Sequence, residues 1–135
     1  MIGLDTNVLV RYLAQDDARQ SAQAGKVMES FTAQSPGFVS IVTLAETIWV
    51  LQDAYARSRN DIAALVEALL QTEGVVVQMP DVVWQALHRF ESSRADFADH
   101  LIERMGSAAG CEATLTFDKS AARVAGMQLM PAGRT

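Results

Sequence analysis

Short apolar runs that alternate with longer amphipathic segments constrain the fold of this chain more than any other feature. The runs at residues 2–4 and 75–78 have the length and composition of buried strands. The segments between such runs repeat apolar residues at helical spacing. Strands separated by helices usually pair in parallel and are covered by those helices. We therefore expect an α/β fold with a mostly parallel central sheet flanked by helices on both faces.

The same pattern sets the approximate bounds of the elements. We predict strands at residues 2–4, 38–40, 75–78, 113–118 and 127–129, and helices at residues 8–13, 16–32, 43–55, 61–72, 80–91, 97–109 and 120–125. Asn60 is expected to cap the helix at 61–72. The helix at 43–55 is apolar on two sides, which is typical of a helix that is buried or lies at a subunit interface.

Length and composition limit the class of protein. A chain of 135 residues suits one domain, over residues 1–135, with a core of its own. Cys111 is the single cysteine and cannot form an internal disulfide, which favours a reducing cytoplasm. We expect a soluble protein without a membrane segment, since no apolar stretch has the length to span a bilayer. The net charge of −5 argues against a simple nucleic-acid-binding module.

Two acidic residues follow predicted strands. Asp5 comes directly after the first strand, and Asp118 ends the strand at 113–118. If both strands are parallel and central, their carboxyl ends open into the same crevice, where ligands of open α/β sheets bind. The alternative is that each acid simply caps the helix that follows it.

Two further acids lie on predicted helices. Glu46 is on the doubly apolar helix, on the side of Trp49 and Val50, where we expect burial. It alternatively pairs with an arginine across a subunit interface. Asp99 borders an apolar stripe of its own helix, or it is one of several first-turn acids favoured by the helix dipole. That stripe consists of Ala98, Leu101, Ile102 and Met105.

Two neighbours of Asp99 share its side of the helix. Asp96 precedes it by three residues and is predicted to be the helix cap. Glu103 follows it by four residues and is predicted to face solvent or to support the site from outside.

Carboxylates that converge in one crevice repel one another. Two of them about 4 Å apart repel by roughly 4 kcal/mol at an effective dielectric near 20, so a cluster must protonate, separate or bind an ion. Oxygen ligands without a nearby cysteine or paired histidine select Mg²⁺ or Mn²⁺. Such an ion can activate a water and stabilise the charge that develops when a phosphodiester is cut.

Four motifs resemble, in order, those of the PIN domain as found in VapC-type toxins: "DTNVLVRYL", "VTLAETIWVL", "ADFADHLI" and "TLTFDK". The resemblance implies a PIN-like fold and an acidic catalytic cluster of Asp5, Glu46, Asp99 and Asp118. It implies Asp5, Asp99 and Asp118 as the metal ligands, with Thr6, Asn7 and Thr116 as supporting polar residues. His100 departs from the family, which more often has a small residue after the third acid.

The function that the resemblance implies is a metal-dependent endoribonuclease toxin. Its substrate would be RNA, it would be neutralised by a cognate antitoxin, and it would form a homodimer. Arg11, Arg57, Arg59, Arg89 and Arg94 are candidates to line a path for RNA. One alternative is a magnesium-binding phospho-acceptor domain, although Asp5 stands alone and Lys119 directly follows an acid. The other is a non-catalytic PIN-type protein-binding module, although none of the four acids is missing.

Overall fold

The computed structural model describes residues 1–131, and the chain folds as two compact units. The first unit spans Met1–Pro80, and the second begins at Asp81. Each unit has its own sheet, and neighbouring strands within each sheet run parallel. The predicted parallel α/β character is confirmed.

The first unit contains a three-stranded sheet in the order β1-β2-β3. Gly3 pairs with Phe38, and Phe38 pairs with Val76. The strand before Asp5 therefore lies at the edge of this sheet and not at its centre. The elements of this unit are β1 (Ile2–Gly3), α1 (Thr6–Ala14), α2 (Ala18–Ser30), β2 (Gly37–Val39), α3 (Ile41–Asp53), α4 (Arg59–Gln71) and β3 (Val75–Val77).

Polar side chains cap the helices of the first unit. Asp17 accepts a hydrogen bond from the backbone N–H of Gln20 at 2.9 Å and caps α2. Ser58 accepts from the N–H of Asp61 at 3.1 Å and caps α4. The prediction that Asn60 is this cap is wrong, because Asn60 already lies inside the first helical turn. A hydroxyl two residues earlier reaches the unpaired donor instead.

Helix α3 is apolar on two sides, as predicted, but one of these sides is exposed. Val42 is 78% exposed and Trp49 is 64% exposed. The opposite side is buried in the core and consists of Ile41, Leu44, Thr47, Ile48 and Leu51. Hydrophobic spacing thus identified the helix without telling which side the core would cover.

The turn between α4 and β3 requires a glycine. Gly74 has a φ of +82°, in the left-handed region that L-residues avoid. A Cβ at this position would lie 2.7 Å from the carbonyl carbon and oxygen of Phe31. The turn therefore packs backbone against backbone at the start of β3.

The second unit consists of helices and a two-stranded parallel sheet. The rings of Phe90 and Phe97 pack edge to face, with centroids 5.3 Å apart, between its first two helices. None of the helices in residues 1–131 is long and apolar enough to cross a membrane. The elements are α5 (Pro80–Glu91), α6 (Phe97–Ala108), β4 (Leu115–Thr116), α7 (Lys119–Val124) and β5 (Gln128–Leu129).

Strand β4 is shorter than the predicted strand at 113–118. Its pairing with β5 extends only from Leu115 to Thr116. The backbone N–H of Asp118 then donates to Oγ1 of Thr116 at 3.0 Å, and the Asp118 side chain begins the next helix. The chain therefore turns before the alternating sequence ends.

Candidate active site

Asp5 follows β1 and caps α1. Its Oδ1 accepts a hydrogen bond from the backbone N–H of Thr6 at 2.8 Å. Within the described residues, no hydrogen bond reaches Oδ2, and the side chain is exposed. The capping role therefore occupies one carboxylate oxygen and leaves the other available to a ligand.

A cleft of about 310 Å³ in the first unit brings several predicted site residues together. Asp5, Thr6, Asn7 and Glu46 all line it. The remaining lining residues are Val10, Arg11, Val50 and Tyr55. Two carboxylates from β1–α1 and α3 thus share one concave surface with polar side chains.

Glu46 is exposed to solvent. The expectation that it lies on a buried face is wrong, because the core covers the opposite side of α3. Glu46 has no ion-pair partner within the described part of the chain. Its carboxylate therefore reaches solvent at the cleft.

From the sequence, Arg11 was predicted only as one of five arginines that could line a path for RNA, and Tyr55 was not predicted as a site residue. Both line the cleft, and Nη1 of Arg11 donates to the Tyr55 hydroxyl at 3.1 Å. Arg11 lies six positions after Asp5 on the same turn-and-helix segment. That spacing is the signal that could have placed it at the cleft.

In the second unit, Asp118 caps α7. Its Oδ1 accepts from the backbone N–H groups of Ser120 at 2.8 Å and Ala121 at 3.3 Å. Thr116 holds the residue from the other side by accepting from the N–H of Asp118. Thr116 therefore contacts Asp118 directly, through the backbone N–H of that residue.

Asp99, in the first turn of α6, has a pKa above the ordinary value of an aspartate. Burial raises the pKa of the Asp99 carboxyl above its ordinary value, and the negative charges of Asp96 and Asp118 raise it further. Asp96 occupies the cap position of α6, as predicted, but its side chain makes no capping hydrogen bond. Negative charge is therefore concentrated around Asp99, and a bound cation would relieve it.

Glu103 does not face solvent, so the first of its two predicted positions is wrong, and the second, support of the site from outside, stays a prediction. Its carboxylate is buried and accepts from Nε and Nη2 of Arg104, at 2.7 and 2.8 Å, and from Nη1 of Arg89, at 3.1 Å. The hydrogen bonds from Arg104 lower the pKa of Glu103, and the positive charges of both arginines act in the same direction. Two guanidinium groups thus allow this carboxylate to be buried.

His100 is a packing residue of the second unit. It is buried, and its Nε2 lies 2.7 Å from Oγ of Ser93. The buried side of α6 consists of Phe97, His100, Leu101 and Glu103. The predicted stripe is therefore only partly correct, since Ala98, Ile102 and Met105 are exposed.

The donors available to a metal are carboxylate oxygens. Among residues 1–131, no three His, Cys, Asp or Glu side chains form a group arranged to hold an ion. The chemistry of the acids nevertheless matches a hard cation, because oxygen ligands prefer Mg²⁺ or Mn²⁺.

Comparison with known proteins now identifies the family. The model of the PIN domain family matches residues 2–127. The chain belongs to the PIN domain family. The four acids of this PIN domain all lie in the matched range, which confirms the resemblance at the level of the family. Membership also argues against the phospho-acceptor alternative.

This PIN domain was also compared with individual proteins. No curated protein sequence matches it significantly. Among solved structures it is similar to VapC20 from Mycobacterium tuberculosis, described as a toxin that cleaves the sarcin–ricin loop. That match has 21% sequence identity and a TM-score of 0.44, and it covers 91% of this chain and 94% of the other.

Proposed function

We propose that this PIN-domain protein is a metal-dependent endoribonuclease of the VapC type, which cleaves RNA phosphodiester bonds. One observation carries the proposal: a carboxylate follows a parallel strand in each unit, Asp5 after β1 and Asp118 after β4. A second acid accompanies each of them. Glu46 lines the same cleft as Asp5. Asp99 lies close enough to Asp118 for the charge of Asp118 to contribute, after burial and the charge of Asp96, to its raised pKa. Family membership and the order of the four motifs support the same function.

The four acids serve one reaction in this proposal. Asp5, Asp99 and Asp118 would hold Mg²⁺ or Mn²⁺, and Glu46 would orient the attacking water. A divalent ion held by these oxygens would lower the pKa of that water and offset the charge of the phosphate. Burial raises the pKa of Asp99, and the charges of Asp96 and Asp118 raise it further, so a cation beside these carboxylates would stabilise the ionised form of Asp99.

The supporting polar residues of the proposal act on the carboxylates or the substrate. The backbone N–H of Thr6 donates to the carboxylate of Asp5, and the hydroxyl of Thr116 accepts from the backbone N–H of Asp118, whose carboxylate is held by the N–H groups of Ser120 and Ala121. Asn7 lines the cleft and would hydrogen-bond a phosphate there. Carboxylates held in this way would lose little conformational freedom on binding an ion.

Cleavage of a structured RNA by the purified protein tests this function. We expect discrete products with Mg²⁺ or Mn²⁺ and none after EDTA is added. Asp5→Asn and Asp118→Asn should each lower the rate on the order of 100-fold or more. Asparagine caps a helix as well as aspartate does, so neither change should unfold the chain.

Asp17→Asn is the matched control. Asp17 also caps a helix with its carboxylate, but it is not among the proposed site residues. This variant should cleave like wild type. The assignment is wrong if Asp5→Asn and Asp118→Asn cleave as fast as Asp17→Asn.

The partners of the proposal are RNA, a second copy of the chain and an antitoxin. Val42 and Trp49 on the exposed side of α3 offer an apolar surface for a homodimer. Sedimentation of a stable monomer at micromolar concentrations would contradict this part. An antitoxin is implied by the family resemblance, and its binding over the carboxylates should stop cleavage in the same assay.

A further inference from the structure

The guanidinium of Arg11, in α1, is held by side chains from three parts of the first unit. Its Nη1 donates to Oδ1 and Oδ2 of Asp16, at 3.1 and 3.2 Å, and its Nε donates to Oε1 of Gln20 at 2.7 Å. Nη1 also donates to the hydroxyl of Tyr55. The long side chain is thus oriented before a ligand arrives, which reduces the entropy lost on binding.

Tyr55 and Asp16 complete this arrangement. The Tyr55 hydroxyl donates to Oδ2 of Asp16 at 2.6 Å, and this hydrogen bond raises the pKa of Tyr55 and lowers the pKa of Asp16. Tyr55 therefore stays protonated while Asp16 stays ionised near neutral pH. Both groups keep the charge state that orients Arg11.

The oriented guanidinium lines the cleft that contains Asp5 and Glu46. No hydrogen bond occupies its Nη2 among the residues that the structure describes. An anionic substrate that approaches two carboxylates is repelled unless positive charge lies nearby. The Nη2 group of this guanidinium supplies a positively charged donor for a phosphate oxygen.

We propose that Arg11 binds a phosphate of the RNA in this cleft, with Asp16 and Tyr55 as positioning residues. The inference rests on the proposed ribonuclease function and adds a substrate-binding residue to it. A purely structural role, in which the Arg11–Asp16 pair joins α1 to α2, explains less. Both side chains are about one-third exposed, and ion pairs of that kind add little stability.

Two measurements on Arg11→Gln test the proposal. In steady-state cleavage, we expect KM for RNA to rise about tenfold, with kcat changed much less. In EDTA, where the metal-dependent reaction stops, fluorescence anisotropy reports binding of a labelled single-stranded RNA. The slope of log K against log salt should become shallower by about 0.7, the value for one lost phosphate contact.

Three further variants keep the test decisive. Arg11→Lys keeps the charge but loses the planar fork, so it should raise KM less and leave the salt slope unchanged. Tyr55→Phe removes a positioning hydroxyl and should raise KM without altering the slope. Arg19→Gln removes the same charge from an exposed position on α2 and should match wild type in both measurements.

Each outcome either supports or overturns the proposal. It is overturned if Arg11→Gln keeps the wild-type KM and salt slope, or if Arg19→Gln changes both equally. It is also overturned if only kcat or the melting temperature falls, because Arg11 would then act through the fold. If the wild type binds RNA without cleaving it, the ribonuclease function fails while the salt slope still decides on Arg11. If the wild type binds no RNA, both proposals fail.

Discussion

Replacing Glu103 by glutamine should lower the free energy of unfolding at neutral pH. The side chain of Glu103 is only 11% exposed, and its carboxylate accepts three hydrogen bonds from Arg89 and Arg104. Glutamine has nearly the same volume, so the substitution creates no cavity. It removes the negative charge and turns an acceptor oxygen into an amino group that faces guanidinium donors.

The size of the effect follows from these contacts. Hydrogen bonds to charged groups contribute roughly 1.5–3 kcal/mol each, but the side chain of Arg89 is 45% exposed and can turn to water. The bonds from Arg104, which is 17% exposed, should dominate. We expect a loss of about 2 kcal/mol. For a chain of 135 residues, this corresponds to a fall of about 7 °C in melting temperature.

Tryptophan fluorescence can follow the second unit during urea unfolding. Trp84 lies on α5, the helix that carries Arg89, and Trp49 lies in the first unit. A Trp49→Phe background therefore leaves a single reporter in the second unit. Glu91→Gln, at the exposed end of α5, is the matched control and should change stability by less than about 0.5 kcal/mol.

The pH dependence makes this prediction stricter. Because hydrogen bonds from Arg104 lower the pKa of Glu103 in the folded state, its stabilisation is fully present above the pKa of an unfolded-chain glutamate, about 4.3. It is lost as the pH falls through the lower folded-state pKa. The gap between wild type and Glu103→Gln should therefore narrow below about pH 4. The reasoning would be refuted if Glu103→Gln and Glu91→Gln were equally stable. It would also be refuted if the difference in unfolding free energy between wild type and Glu103→Gln did not change with pH.

Two further predictions concern Asp99 and Gly74. Without metal at neutral pH, Asp99→Asn should stabilise the chain, because burial and then the charges of Asp96 and Asp118 raise the pKa of Asp99. The gain in stability should shrink as the pH falls and the wild-type carboxyl becomes protonated. Urea unfolding in EDTA measures this gain, and a lower urea midpoint for Asp99→Asn than for wild type would contradict the prediction. Gly74→Ala should cost at least about 2 kcal/mol in urea unfolding, because φ is +82° and a Cβ would meet the Phe31 backbone. Gly25→Ala, in open space on α2, should instead gain about 0.5–1 kcal/mol, and the same sign for both would be inconsistent with the structure.

The elements were largely predictable because their spacing and caps are local properties. The helix at residues 80–91 was placed correctly from Pro80 and the apolar repeat that follows it. The predicted length of β4 was too long, because the alternation of apolar and polar residues continues past Thr116 although the backbone already turns there. Alternation identifies a strand, but hydrogen-bond partners decide its length.

Side-chain burial was less predictable, because it depends on partners that are distant in sequence. Glu103 was predicted to face solvent or to support the site from outside, yet it is buried against Arg104, the next residue, and Arg89, fourteen residues earlier on α5. Glu46 was expected inside since Trp49 is apolar, yet both are exposed. A helix that is apolar on two sides does not reveal which side the core will cover.

The positions of Asp5 and Asp118 after strands have two explanations, helix capping and ligand binding, and the structure makes them compatible. Both Asp5 and Asp118 use Oδ1 to accept backbone N–H groups, and within the described residues neither Oδ2 takes part in a hydrogen bond. Capping fixes the direction of each carboxylate at the end of a strand, and an oriented oxygen binds a cation at a lower entropic cost. Because asparagine retains the cap and removes the charge, Asp→Asn substitutions isolate the second role from the first.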